Sequence, residues 1–218
     1  MKKIKRKFST GFYVLSILIT LLIFLIGLGI GDYITQSKVR WIQNSEREIL
    51  NSFNEFNQKM VNIENRQEYC NLSWEDLWKE KVEIGTILAK LEENLGKDDE
   101  EVKEQKKIYN DVQIELKGIL ESIEENCNYN WTIILFFYTN DDSLEEQKLS
   151  ELQGYVLDSL YHENSNIKIL TFDLSANTPI LEKLRQENKI SELPSLVING
   201  KKYSGFKGKE DVKKIIQK

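Results

Sequence analysis

Residues 8–31 carry no charged side chain, and the run FSTGFYVLSILITLLIFLIGLGIG is mostly Leu, Ile and Phe. As a helix it would be about 36 Å long, against roughly 30 Å of bilayer hydrocarbon. The apolar core of a cleaved secretory signal is shorter, about 7–15 residues, and ends at a small-x-small site. The small-x-small candidates here are Gly27-Leu28-Gly29 and Gly29-Ile30-Gly31. The pattern predicts an uncleaved transmembrane helix. A seven-residue rhythm follows, as Val39, Glu46, Phe53, Met60 and as Ile42, Ile49, Phe56, Ile63, apolar at every position but Glu46. This predicts an amphipathic helix over 32–69. It either packs on its own chain or forms a homo-oligomer through residues 39–63.

Two further amphipathic helices are predicted over 70–127. Ser73 can cap the first, whose apolar line holds Leu77, Ile84, Leu88, Leu91 and Leu95 before Gly96 ends it. The acidic run Asp98-Asp99-Glu100-Glu101 suits the N-terminus of the second. That helix lines up Val102, Tyr109, Val112, Leu116, Ile119 and Ile123. An antiparallel hairpin turning near Gly96-Lys97 would bring Cys70 and Cys127 together. Their bridge would close a loop of about 58 residues, worth roughly 4 kcal/mol by chain entropy. The alternative is an exchangeable redox pair. Against it, the two cysteines lack Cys-x-x-Cys spacing and have Glu68, Glu124 and Glu125 as neighbours.

From residue 128 the pattern changes. WTIILFFYT is an apolar run of strand length, as in strands buried on both faces. A polar turn, Asn140-Asp141-Asp142-Ser143, leads into a helix to about Tyr161. A strand IKILTFDL (167–174), a helix over 178–189 with Pro179 in its first turn, and a strand SLVIN (195–199) follow. Asn199-Gly200 signals a hairpin into KKYSGF (201–206), and a helix covers 209–217. The predicted order is β-α-β-α-β-β-α. The first two strands should be parallel and the last two antiparallel.

Composition narrows the function. The chain has 218 residues, with 30 Lys+Arg against 35 Asp+Glu and a net charge of −5. Nucleic-acid binders carry a basic excess, so no nucleic-acid partner is expected. Two cysteines and one histidine cannot build a four-ligand zinc site, and neither metal nor cofactor is implied. Lys2, Lys3, Lys5, Arg6 and Lys7 precede the apolar run. By the positive-inside rule, residues 1–7 stay in the cytoplasm and 32–218 lie outside the cell membrane. Asn71-Leu72-Ser73 and Asn130-Trp131-Thr132 are glycosylation sequons. The cluster Asp141, Asp142, Glu145, Glu146 reads as a charged helix N-terminus rather than a cation site. His162 reads as a surface residue, and the C-terminal lysines as a solvated face.

Over 128–218 the chain resembles the thioredoxin-like superfamily. The element order, the segment Leu193-Pro194-Ser195-Leu196-Val197-Ile198-Asn199-Gly200, and Phe136-Phe137-Tyr138-Thr139 leading into a helix carry the resemblance. It implies an α/β thioredoxin fold with Pro194 as the family's cis-proline beside an active-site loop. Redox members carry Cys-x-x-Cys where this sequence has Asp142, Ser143, Leu144 and Glu145. There is no cysteine between 128 and 218. The thiolate is the nucleophile of disulfide exchange, so the expected role is a non-catalytic module that binds a protein or peptide at Tyr138, Leu193 and Pro194. The alternatives are an oxidoreductase using Cys70/Cys127 and an oligomerising spacer.

Overall fold

The computed structural model describes residues 10–61, 70, 74–127, 129, 131–140 and 143–217. The basic segment 1–7, Ile63, the Ser73 cap, Asp141, Asp142 and the sequon residues Asn71 and Asn130 lie outside them. The chain forms two compact units, residues 1–45 and 46–218. Helix α1 (Thr10–Val61) begins in the first and ends in the second. Its N-terminal part is long and apolar enough to cross a bilayer. Leu, Ile and Phe side chains from Phe12 to Ile34 are exposed, an arrangement that suits a hydrocarbon solvent better than water. Thr20 Oγ1 donates to the Ser16 carbonyl at 2.9 Å, which satisfies that hydroxyl within the helix.

The second unit is a mixed α/β assembly. In α1 the seam residues Ile49 and Phe56 are fully buried within it, so this apolar line is used inside the chain. Lys59 pairs with Glu80 at 2.7 Å. Helices α2 (Trp74–Leu95) and α3 (Glu100–Asn126) form the hairpin. Its turn uses Gly96 at φ +95° and an N-cap at Asp99, whose carboxylate accepts from Glu101 N at 3.0 Å. Leu77, Ile84, Leu88 and Leu91 of α2 and Val112, Leu116, Ile119 and Ile123 of α3 are all buried. Cys70 and Cys127 come within disulfide-bonding distance, with Cα atoms 5.4 Å apart.

The rest alternates strands and helices: β1 (Thr132–Tyr138), α4 (Leu144–Glu163), β2 (Ile167–Asp173), α5 (Pro179–Glu187), β3 (Ser195–Ile198), β4 (Lys201–Ser204) and α6 (Lys209–Ile216). A short 3-10 turn over Leu174–Ala176, which the sequence pattern did not predict, follows β2. The sheet order is β2-β1-β3-β4. Strands β1 and β2 are parallel, with Ile134 opposite Ile169, and the β1–β3 and β3–β4 pairs are antiparallel. Asn199 (φ +47°) and Gly200 (φ +74°) make the β3–β4 turn, as its sequence requires. On one face Ile134, Phe136 and Leu196 pack with Leu157 and Leu160 of α4 and Val212 of α6. On the other, Phe137 and Phe172 stack at 5.4 Å.

Strand β2 lies at a sheet edge, and its outward backbone groups need partners. The hairpin supplies them. Thr171 N–H donates to Gln113 Oε1 at 2.7 Å, and Gln113 Nε2 donates back to the Thr171 carbonyl. Lys81 Nζ donates to the Ile169 carbonyl at 3.2 Å. A side-chain amide thus mimics the missing strand, and Gln113 is fully buried. The hairpin is therefore packed on the sheet, a point the sequence pattern left open.

Gln113→Ala would leave a buried N–H and C=O unpaired, at about 1–3 kcal/mol. Urea unfolding should show that loss. A change below about 0.5 kcal/mol, the scale of an ordinary surface substitution, would mean that water serves this edge equally well.

Candidate functional site

The C-terminal end of the sheet is where open α/β folds place ligands. Here it is filled by a polar network. Asp173, at the end of β2, is 2% exposed and Lys106 of α3 is 3% exposed. Their charged atoms lie 2.9 Å apart, and Lys106 also meets Glu92 of α2 at 2.7 Å. Asn140 Nδ2 donates to the same Asp173 oxygen at 2.7 Å, and Ser175 donates to the other through its backbone N–H and hydroxyl. A buried pair holds only when its remaining lone pairs are served, and here they are. Burial alone would lower the Lys106 ammonium pKa, but Asp173 and Glu92 outweigh it and the net shift is upward.

The sequence-predicted loop residues serve structure. Ser143 caps α4, its Oγ accepting from Glu146 N at 3.3 Å and donating to Glu146 Oε2 at 3.2 Å. Leu144 opens the helix, and Glu145 lies exposed in its first turn. Asp142 lies outside the described residues. Among those described, no three His, Cys, Asp or Glu side chains gather as metal ligands. The Leu193–Pro194 peptide bond is cis, Pro194 is buried and Leu193 half-buried. Since Ser195 pairs with Phe137, Pro194 falls level with Tyr138. Tyr138 stacks on Phe136 at 5.2 Å and lines a groove. Burial, then the Asp173, Glu92 and Tyr109 neighbours, push its hydroxyl pKa well up, so it stays protonated.

That groove has a volume of about 570 Å3. One wall is α2, through Trp78, Lys81, Val82, Leu88 and Glu92; the other is α4, through Gly154, Leu157 and Tyr161. Phe136, Tyr138 and Ile169 form the floor, with Tyr109 reaching in from α3. Two glycines shape it. A Cβ at Gly85 would sit 2.8 Å from the Tyr109 hydroxyl, so glycine lets that ring lie across α2. At Gly154 the nearest atom is Phe136 Cε1, at 4.0 Å. The Trp78 indole N–H donates to the Tyr161 hydroxyl at 3.0 Å and ties the two walls together. His162, at the mouth, is 3.6 Å from Asp158.

The groove residues escaped the sequence reading. Trp78, Lys81, Gly85 and Glu92 form a second stripe on α2, beside the Leu and Ile stripe that defines the hairpin core. A lysine and a glycine between tryptophan and leucine on one stripe was the available signal. Nearby, Lys168 Nζ lies 4.3 Å from the Trp74 ring and 5.8 Å from Trp131, a cation over aromatic faces. Burial lowers its pKa.

No family model matches this sequence, and no curated protein matches it. Among solved structures, one described as "Structure of a malarial protein" is similar. It is 20% identical, the match covers 40% of this chain and 96% of that one, and the TM-score is 0.34. A likeness at that level carries no argument about activity.

Lys106→Met alone should destabilise the fold by about 3–5 kcal/mol, because it leaves Asp173 buried without its cation. The Lys106→Met/Asp173→Asn double variant should lose less than the sum of the single variants, and additivity in the cycle would contradict the coupling. Helix α3 also carries Asp111 and Glu115 one turn apart. Burial raises both pKa values, and the Asp111 charge raises Glu115 further. A raised carboxyl pKa means the folded state binds protons more tightly than the unfolded one, so these groups weaken the fold when ionised. Glu115→Gln should therefore stabilise at pH 7, and the gain should vanish as pH falls below about 4, near the ordinary carboxyl pKa. A pH-independent gain would sink that account.

Proposed function

We propose that the chain is a membrane-anchored, non-catalytic binding or scaffold module whose residues 128–218 are a thioredoxin-like domain. Residues 1–7 would lie in the cytoplasm and residues 32–218 outside. Four features support the domain reading. These are the β-α-β-α-β-β-α order, the strand order β2-β1-β3-β4, the antiparallel β3–β4 hairpin, and Pro194 leading into β3. One observation carries the non-catalytic reading: the end of β1 holds no thiol. Asn140 there is bonded to Asp173 and Ser143 caps α4. Neither residue can attack a disulfide.

The Cys70–Cys127 pair is read as a staple. Cys127 precedes the N-terminal end of β1, whereas the candidate loop follows its C-terminal end. Seven strand residues separate those ends, roughly 20 Å. Thiols at one end cannot act on a substrate held at the other. The partner in this reading is an extended segment of another protein, received beside Leu193 and Pro194.

The test uses the full chain in nanodiscs and carboxymethylated lactalbumin as an unfolded probe. Leu193→Asp should weaken capture by about tenfold or more, as for a buried interface anchor, and insulin reduction should show no turnover. Capture unchanged in Leu193→Asp, or measurable insulin reduction, rejects the reading.

A further inference from the structure

We propose that the groove between α2 and α4 binds a long-chain alkyl carboxylate, with the carboxylate on Lys81 and the chain along the apolar walls. This goes beyond the domain reading above and stands on the groove alone. The volume of about 570 Å3 lies within the roughly 300–1,000 Å3 typical of small-molecule sites. From Trp78 to Glu92 the α2 wall is about 21 Å long at 1.5 Å per residue, which suits an extended acyl chain.

Charge selects the head group. Lys81 is 8% exposed, and among the described residues no carboxylate lies within ion-pairing distance of it. Its ammonium makes one hydrogen bond, to the Ile169 carbonyl at 3.2 Å, and otherwise faces the Trp78 ring at 5.0 Å and the Tyr109 ring at 5.8 Å. Two N–H donors therefore remain for a ligand. Two carboxylates line the groove: Asp158, solvent-exposed and 3.6 Å from His162, and Glu92, already held by Lys106 at 2.7 Å. Glu92 lies three helical turns from Lys81, about 16 Å along the axis, so an anionic head is favoured at the Lys81 end.

The floor argues against a peptide in the same groove. An added strand needs free backbone groups on the sheet edge. The Ile169 carbonyl is taken by Lys81, and Thr171 N–H and C=O are taken by Gln113. An extended peptide would bring unpaired amides against Phe136, Leu157 and Leu88, whereas an alkyl chain brings none.

The probe is palmitate carrying a mid-chain diazirine, applied to the full chain in phosphatidylcholine nanodiscs. After irradiation, adducts should map to 78–92 and 153–161. Palmitate should compete and methyl palmitate should not. Lys81→Met should lower groove labelling about tenfold, as expected for loss of one charge-assisted contact. Gly154→Leu fills the space beside Phe136, where a Cβ meets nothing closer than 4.0 Å, and it also improves helix propensity. It should abolish groove labelling while the protein keeps its Tm, which separates occupancy of the groove from loss of fold. Adducts confined to 10–34, groove adducts undiminished in Gly154→Leu, or equal competition by the methyl ester would overturn the proposal. None of these outcomes bears on lactalbumin capture or insulin reduction, so the two readings fail separately.

Discussion

A four-stranded sheet with a free edge cannot leave that edge bare against its own apolar faces. Strand β2 is the edge in question, and the Gln113 side-chain amide meets Thr171 through both its donor and its acceptor. That pair, with Lys81 on Ile169, fixes the hairpin to the sheet at one register. The rest follows. Once α3 lies along β2, Lys106 is carried onto Asp173, and α2 is brought opposite α4. The groove exists because two helices of different origin, one from the hairpin and one from the βαβ crossover, face each other across the same sheet face.

The same arrangement fills the C-terminal end of the sheet. A fold of this kind offers its strand termini to ligands. In this chain, Asp173, Lys106, Glu92, Asn140 and Ser175 close them with mutual hydrogen bonds and charges. Beside that end lies Leu193, half-buried, and above the sheet lies the groove. Tyr138 sits at the end of β1, where the sequence pattern put it, and its ring also lines the groove.

Secondary structure was largely legible because each element obeys one local rule. WTIILFFYT has the uninterrupted apolar character of a doubly buried strand, and Asn199-Gly200 adopts the positive φ angles that its turn requires. The hairpin was legible from its heptad-like line and from Gly96. Tertiary relations were not. Nothing local says that Gln113, a polar residue inside a helix, will serve as a strand partner 58 positions away. Lys106 likewise reads as a solvated lysine, although it is almost completely buried. The groove was hidden for the same reason. Its residues come from α2, α3, α4 and two strands, and only packing brings Lys81, Tyr109, Phe136 and Gly154 together. Along residues 39–63, Ile49 and Phe56 suit self-packing and a second copy equally by pattern, and the burial of these two side chains within the chain is visible only in the structure.

The central claim is that the hairpin and the sheet are one cooperative unit joined at the β2 edge. Equilibrium urea unfolding of the full chain in nanodiscs tests it most directly, with one fluorescent label on an exposed position of α2 and another on α6. The account predicts coincident transitions from the two labels, as expected of a single two-state unit. Two separated transitions, with the sheet surviving after the hairpin has opened, would contradict it.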